Sequence, residues 1–355
     1  MIYNWYMAVN DQNPLLKGVV GIQNMGNTCY SNSTLQLLRA SSEWNVFCIT
    51  NDFVEKLKNK PDDSNKRIIL AYQDILKAVW SAYKPAYVRP LGFISEVRKA
   101  VQGTVYEMFG MPMQNDSHEY LVYLLDHFHE ALKTETVYVE KEICGTEYEK
   151  MHIMAENSWN KFLSKNTSEV VDLFFGTMRK TVECLTCHNK TYTWEIFNSL
   201  KVPCDGVTFQ DWIHNEVNEC STIDDYRCDK CNGKHPAKKY SHLWKLPTNL
   251  FITVHRFHYN GHKNMTQCPY NGDNLSFSGH FAEESNDPQR NALYELRGVS
   301  DHHGTHMGGH YTAQFKHPIS GEWWWFDDEN SQQLPHPQFS SSNYIFFFRK
   351  LNQTQ

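Results

Sequence analysis

The hydrophobic pattern of this chain changes period once, near residue 135, and that change limits the architectures open to it. Before it, apolar residues recur at helical spacing. In 64–84, Ile68, Tyr72, Leu76 and Trp80 step by four and Pro85 ends the run. In 116–132, Leu121, Leu124, Leu125, Phe128 and Leu132 line one side, with Asp116 placed to cap the N-terminus. A shorter helix is expected over 92–101, and another opens at Cys29. After residue 135 come strand-like runs rich in Val, Ile, Thr and aromatics: 170–184, 191–202, 238–246, 249–257, 293–300, 310–317, 322–328 and 343–350. A helix over 208–217 interrupts them. Helices first and strands afterwards predict an α+β fold rather than alternating βαβ units.

At 355 residues the chain has material for about two compact units or one large lobed one. It is 41% hydrophobic and 14% aromatic, too rich in core-forming side chains for a disordered protein. Its 34 Lys and Arg against 40 Asp and Glu leave a charge of -6, without the basic excess of a nucleic-acid binder. No run reaches the ~18 apolar residues of a membrane helix. Residues 1–17 read as a short lead-in without signal-peptide character, and 351–355 as a tail. Ten cysteines are too few for a disulfide scaffold, so a reducing compartment, cytoplasm or nucleus, is expected, with cysteine pairs that bind metal or do chemistry.

Cys29 follows the turn-prone NMGNT and opens a helix, where free N–H groups and the helix dipole favour a thiolate. The segment by itself also suits a small buried core residue, the commoner fate of a cysteine. Asn24, five residues earlier, could donate its amide to a developing oxyanion or simply shape the turn.

A catalytic thiol needs an imidazole base and a group to orient it. The run from Met307 to Asp328 reads as two strands around the turn HPISG. If Lys316 pairs with Glu322, His310 lies opposite Asp328, with Asp327 one residue away. Plain register thus favours Asp328, and a one-residue bulge would substitute Asp327. The alternative is that these acids merely solvate a strand end. Gly308 and Gly309 permit close approach of another backbone, which suits a narrow channel.

Cys184 and Cys187 form one CxxC pair, Cys228 and Cys231 another, with 40 residues between them. Four thiolates make a closed tetrahedral zinc site, which is structural because no position is left open. The alternative is four reduced thiols without metal. Cys48, Cys144, Cys204, Cys220 and Cys268 show no ligand spacing and are assigned to packing or surface.

Together these features resemble the ubiquitin-specific protease family of deubiquitinases. GIQNMGNTCYSNSTLQLL (21–38) is similar to its Cys box, and MGGHYTAQF with WWWFDD, within 307–328, to its His box. QNDSHEYLVYLLDHFHEAL (114–132), VECLTCHNKTYTWEIFNSLKVP (182–203) and YELRGVSDHHGTHMGGHYTA (294–313) resemble further segments, so the likeness spans about 18–350. Small departures are VHRF (254–257) for the usual LKRF, Ser117-His118, and Tyr120 for Phe.

The resemblance implies a papain-like cysteine protease shaped as a hand. A helical thumb would span about 18–135, zinc-bearing β fingers about 175–245, and a β palm the remainder. It implies Cys29 as nucleophile, His310 as base and then acid, and Asp327 as the residue orienting His310, with Asp328 in support and Asn24 at the oxyanion. Asp116 and Glu119 would meet the basic tail of ubiquitin, although both also suit a helix N-terminus. Tyr311 would line the tail channel with Gly308 and Gly309. The implied reaction is thiol-dependent hydrolysis after the C-terminal glycine of ubiquitin by a monomer carrying one structural zinc. A catalytically silent ubiquitin-binding module, an isopeptidase for another ubiquitin-like modifier and a general papain-type peptidase are the competing readings.

Overall fold

The computed structural model describes residues 18–81, 85–204, 208–217, 220–257, 262–267, 270, 272, 274–285, 290–305 and 308–351. The expected lead-in, Cys268 and all but the first residue of the expected tail lie outside these. The helices are α1 (Cys29–Arg39), α2 (Ser42–Ile49), α3 (Asn51–Lys58), α4 (Ser64–Val79), α5 (Leu91–Val101), α6 (Ser117–Leu132), α7 (Glu147–Asn166), α8 (Glu169–Phe174) and α9 (Phe209–Val217). None among the described residues is long and apolar enough to cross a membrane.

Every residue of α1 is buried, because it runs between the other helices and the main sheet. Its polar side chains are therefore bonded rather than solvated. The Ser33 hydroxyl bonds that of Ser300 and donates to the Thr312 carbonyl, Thr34 donates to Tyr30 and Ser117 carbonyls, and Gln36 donates to that of Val20. Trp44 of α2 anchors the helical lobe. It is fully buried and its ring meets those of Phe47, Tyr72, Phe128 and Phe174 at 5.7–6.3 Å. Such pairs add about 0.5–1.5 kcal/mol each beyond area burial.

The first strands are a parallel pair, β1 (Gly21–Ile22) with β2 (Tyr87–Val88). Next come β3 (Gly176–Cys184), β4 (Lys190–Phe197), β5 (Ser199–Pro203), β6 (Cys220–Cys228) and β7 (Gly233–Lys245). The remainder are β8 (Asn249–His255), β9 (Leu275–Ser276), β10 (Leu293–Thr305), β11 (Gly308–Lys316), β12 (Trp323–Asp327), β13 (Asn330–Leu334) and β14 (Asn343–Lys350). An eight-stranded sheet runs β13-β12-β11-β10-β14-β8-β5, with β9 paired to β10. A separate four-stranded sheet runs β4-β3-β7-β6. One face of the large sheet packs on the helices through Phe251, Phe315, Phe326 and Phe347. The other buries Leu250, Ile252, Phe346 and Phe348 against α9 residues Phe209 and Ile213.

Three local readings are corrected. The run 170–184 opens as helix α8, not strand, because the Ser168 hydroxyl caps it by accepting from Val171 N–H at 3.2 Å. Helix α7 was not expected. It buries only Met151, Ala155 and Asn157, too few for a visible apolar stripe, although its capping box Thr146–Glu149 is a legible signal. The β11–β12 hairpin is shifted by one residue: Lys316 pairs with Trp323, not Glu322, and Ala313 with Phe326. The Glu322 carbonyl instead accepts from His317 N–H at 2.7 Å inside the turn. Since strand side chains alternate, one residue of shift exchanges the faces.

Candidate active site

Cys29 is the first residue of α1 and is 2% exposed. The side chain of Thr28 does not cap this helix, whereas α2, α4, α6, α7 and α8 all have side-chain caps. The Thr28 hydroxyl turns back to accept from Met25 N–H at 2.8 Å. The first N–H groups of α1 thus remain available beside the sulfur. Asn27 and Gly26 both adopt positive φ, 56° and 94°, to fold the preceding loop.

His310 reaches the same place from β11. Its Nε2 lies 2.5 Å from Asp327 Oδ1, which leaves Nδ1 for the thiol. The neighbouring Cys29 thiol is the largest cause raising the imidazole; partial burial opposes the shift and Asp327 reinforces it, bringing His310 to about 9. The corrected hairpin register explains why Asp327 is the partner. Carried one step past Ala313–Phe326, it sets Asp327 level with Thr312, on the His310 face of β11.

Asp328 leaves the ladder at φ 48°; its carboxylate stays within 4.8 Å of the His310 ring nitrogen and the Asp327 carboxylate, but its hydrogen bonds go to two amides. Its Oδ2 accepts from Asn24 Nδ2 at 2.8 Å and its Oδ1 from Asn32 Nδ2 at 2.7 Å. Burial raises the Asp328 carboxyl, and these two amides partly offset it. Asn24 Oδ1 accepts from the N–H groups of Gly26 and Thr28 at 3.0 and 3.1 Å, and its own N–H donates to Glu329 Oε1 at 3.2 Å. The Asn24 amide is therefore fixed, with one of its two N–H bonds used by Asp328 and the second left for a ligand.

Asp116 caps α6: its Oδ1 accepts from His118 and Glu119 N–H at 2.8 and 2.9 Å, and Oδ2 from Tyr344 at 2.6 Å. Two clefts meet at Asp116. One, of about 240 Å³, is lined by Gln114, Phe257, His302 and Tyr311. The other, of about 160 Å³, is lined by His118, Glu119, Lys201 and Arg256. Glu119 is exposed, and desolvation together with Asp116 raises its carboxyl. Tyr311 is buried, and burial pushes its phenol up. Gly308 and Gly309 precede His310, and a Cβ at Gly309 would stand 2.3 Å from the His303 carbonyl.

The sequence reading did not single out three contributors. Asn32 lies three residues after Cys29, so helical spacing could have placed it on the same side of α1. Gln114 grips Gly309 through both backbone groups, with Gly309 N–H to Oε1 at 2.6 Å. Glu329 follows the two aspartates. The last two depend on long-range contacts and carry no local signal.

About the far sheet, Cys184 and Cys187 sit at the β3–β4 turn and Cys228 and Cys231 at the β6–β7 turn. Their four Sγ atoms lie within 4.8 Å of one another and could hold a metal ion. Burial would raise the Cys184 thiol, but the N–H groups of Cys187 and Thr186 and the neighbouring thiols bring it down to about 6, while Cys231 is pushed up to about 12. Thiols this close cannot all ionise without a cation between them, so the donor set fits a thiophilic dication.

Residues 20–348 match the family described as ubiquitin carboxyl-terminal hydrolase. The chain belongs to that family. Among curated relatives of this hydrolase family, it is 28% identical over 350 residues to ubiquitin carboxyl-terminal hydrolase Usp2 of Drosophila melanogaster, covering 94% of this chain and 35% of that protein. It is 25% identical to ubiquitin carboxyl-terminal hydrolase 2 of Homo sapiens, covering 94% of this chain and 55% of the other. The chain thus spans between about a third and about half of these two relatives. Among solved structures, the SAGA Ubp8/Sgf11/Sus1/Sgf73 DUB module bound to ubiquitin aldehyde contains a chain that superposes with a TM-score of 0.70 at 20% identity, covering 95% of this chain and 70% of that one. The SAGA DUB module bound to monoubiquitin gives a TM-score of 0.72 at 18% identity, with 99% and 74% covered. The α+β fold is accordingly the papain-like fold of ubiquitin carboxyl-terminal hydrolases.

Proposed function

We propose that this hydrolase-family chain cleaves the isopeptide or peptide bond after the C-terminal glycine of ubiquitin. What supports the reading is His310, bonded at 2.5 Å to Asp327 with the Cys29 thiol raising its basicity from the other side. Cys29 sulfur attacks the glycine carbonyl after its proton passes to His310. The amide C–N bond breaks as the imidazolium returns that proton to the departing lysine amine. Water, deprotonated by His310, then displaces the thiol from the thioester and frees ubiquitin. Asp327 orients the imidazole throughout. The free N–H of Asn24 and the first N–H groups of α1 receive the oxyanion, where one donor contributes about 2.7–4 kcal/mol. Asp328 supports catalysis by holding Asn24.

The tail of ubiquitin would enter along the clefts around Asp116. Glu119 is the free carboxylate for a basic side chain there, Tyr311 supplies a wall, and Gly308 with Gly309 admits only a glycine-sized tail. The four cysteines would hold one Zn²⁺, which cross-links the two finger turns when bound. With no open coordination position, no step of the hydrolysis runs through it. The substrates would be ubiquitinated proteins, met by a monomer in the cytoplasm or nucleus.

A ubiquitin probe with an electrophilic C-terminus tests this in one gel. Cys29 should be labelled, and Cys29→Ala should retain ubiquitin binding without turnover. Absence of labelling in the folded chain would favour a silent ubiquitin-binding module, and labelling only by another modifier's probe would move the substrate class.

A further inference from the structure

Between α5 and α6 the chain runs V-Y-E-M-F-G-M-P-M over 105–113, with Glu107 as its one charge. Five of these side chains stand in solvent: Val105, Tyr106, Met108, Met111 and Met113, at 39–85% exposure. Clustered exposed apolar groups on a soluble domain mark an interaction surface more often than not.

This loop is built rather than slack. Phe109 is buried beneath it, against the rings of Tyr30, Tyr120 and Tyr123. Asn115, itself buried, donates to the Met108 and Met113 carbonyls at 3.2 and 3.1 Å and so draws the two ends of the methionine turn together. The Pro112 carbonyl accepts from Asn27 Nδ2 at 2.9 Å, which ties the loop to the segment leading into Cys29. The next residue after the loop, Gln114, holds Gly309 and so ties it to the strand leading into His310. The backbone is thus fixed to both walls of the cleft while three flexible thioethers are left outside. Methionine surfaces adapt to varied apolar partners.

None of the five residues lines either cleft around Asp116. The cleft assigned to the ubiquitin tail borders the loop's anchors Gln114 and Asn115 but none of these five side chains, and the loop adjoins the nucleophile from the Asn27 side. A protein joined through a lysine to the carbonyl at Cys29 must lie close against that rim. We infer that residues 105–113 dock an apolar surface of the folded leaving-group protein, the partner that carries the modified lysine. The inference rests on the deubiquitinase reading and extends it to the other side of the scissile bond.

The test compares two leaving groups on the whole chain: ubiquitin with a C-terminal aminocoumarin amide, and diubiquitins covering each lysine linkage. The variant M108S/M111S/M113S should cleave the amide within about twofold of wild type and lose roughly tenfold in kcat/KM on the best-cleaved diubiquitin. M108L/M111L/M113L should restore the diubiquitin rate, since apolar contact is what is required. Equal losses on both substrates would place the surface against the ubiquitin that supplies the C-terminal glycine and overturn the inference, as would no loss on either. A wild-type chain that cleaves neither substrate would instead overturn the deubiquitinase reading, and this inference with it.

Discussion

The Asp327 carboxylate lies 2.5 Å from Nε2 of His310, while the carboxylate of Asp328, its immediate neighbour, accepts from the Asn24 and Asn32 amides. Two adjacent acids thus act on different groups. Cys29 first, then Asp327, raises the imidazole to about 9. A raised histidine stays charged up to that value and loses its proton above it. Activity that needs the imidazolium should therefore fall as pH rises through about 9. Asp327→Asn should cut kcat by on the order of 10²- to 10⁴-fold and move the alkaline limb to lower pH, as a pH–rate profile will read. An unmoved limb would refute the assignment.

Asp328→Asn should lower kcat by a different route. It loosens Asn24 and Asn32 rather than His310. A loss of roughly 10²-fold, in the range of a missing oxyanion donor, is expected with the alkaline limb in place. Asn24→Ala should give a similar loss, and the double variant little more, because the two act as a unit.

Gly308 and Gly309 should respond differently to alanine. A Cβ at Gly309 would stand 2.3 Å from the His303 carbonyl and 2.4 Å from the His302 ring, both held in β10. Gly309→Ala should cost about 1–3 kcal/mol in thermal or chemical unfolding and most turnover. At Gly308 the nearest atom is Gln114 Oε1 at 3.5 Å. Gly308→Ala should fold normally and show its effect as a higher KM, the signature of a narrowed channel.

Native mass spectrometry should find one zinc per chain on Cys184, Cys187, Cys228 and Cys231. Chelation should lower the melting temperature, because metal binding to this donor set is coupled to folding of the turns that carry it. A folded, fully reduced chain that holds no metal would remove the zinc proposal and leave the hydrolase reading intact.

Much of this was legible without coordinates where the signal is local. Asp116 caps α6 as its position before an apolar helical run required, accepting from His118 and Glu119 N–H. The spacing of Ile68, Tyr72 and Leu76 marked a helix that buries all three. Each CxxC pair placed its two thiols on one tight turn. Helix α7 escaped because so little of it is buried that its composition carries no stripe.

The sequence by itself determined the chemical inventory and a mainly helical first part ahead of a sheet-rich second part, since local periodicity and capping act over a few residues. Plain hairpin register points to Asp328 and the family resemblance to Asp327; the tertiary structure sets Asp327 against His310. That choice depends on a one-residue hairpin register, fixed where Trp324 and Phe326 bury against the helical lobe. It also decided that Asp328 steadies Asn24, 304 positions away. Contacts between distant segments follow from how packed layers meet, and no local pattern encodes that meeting.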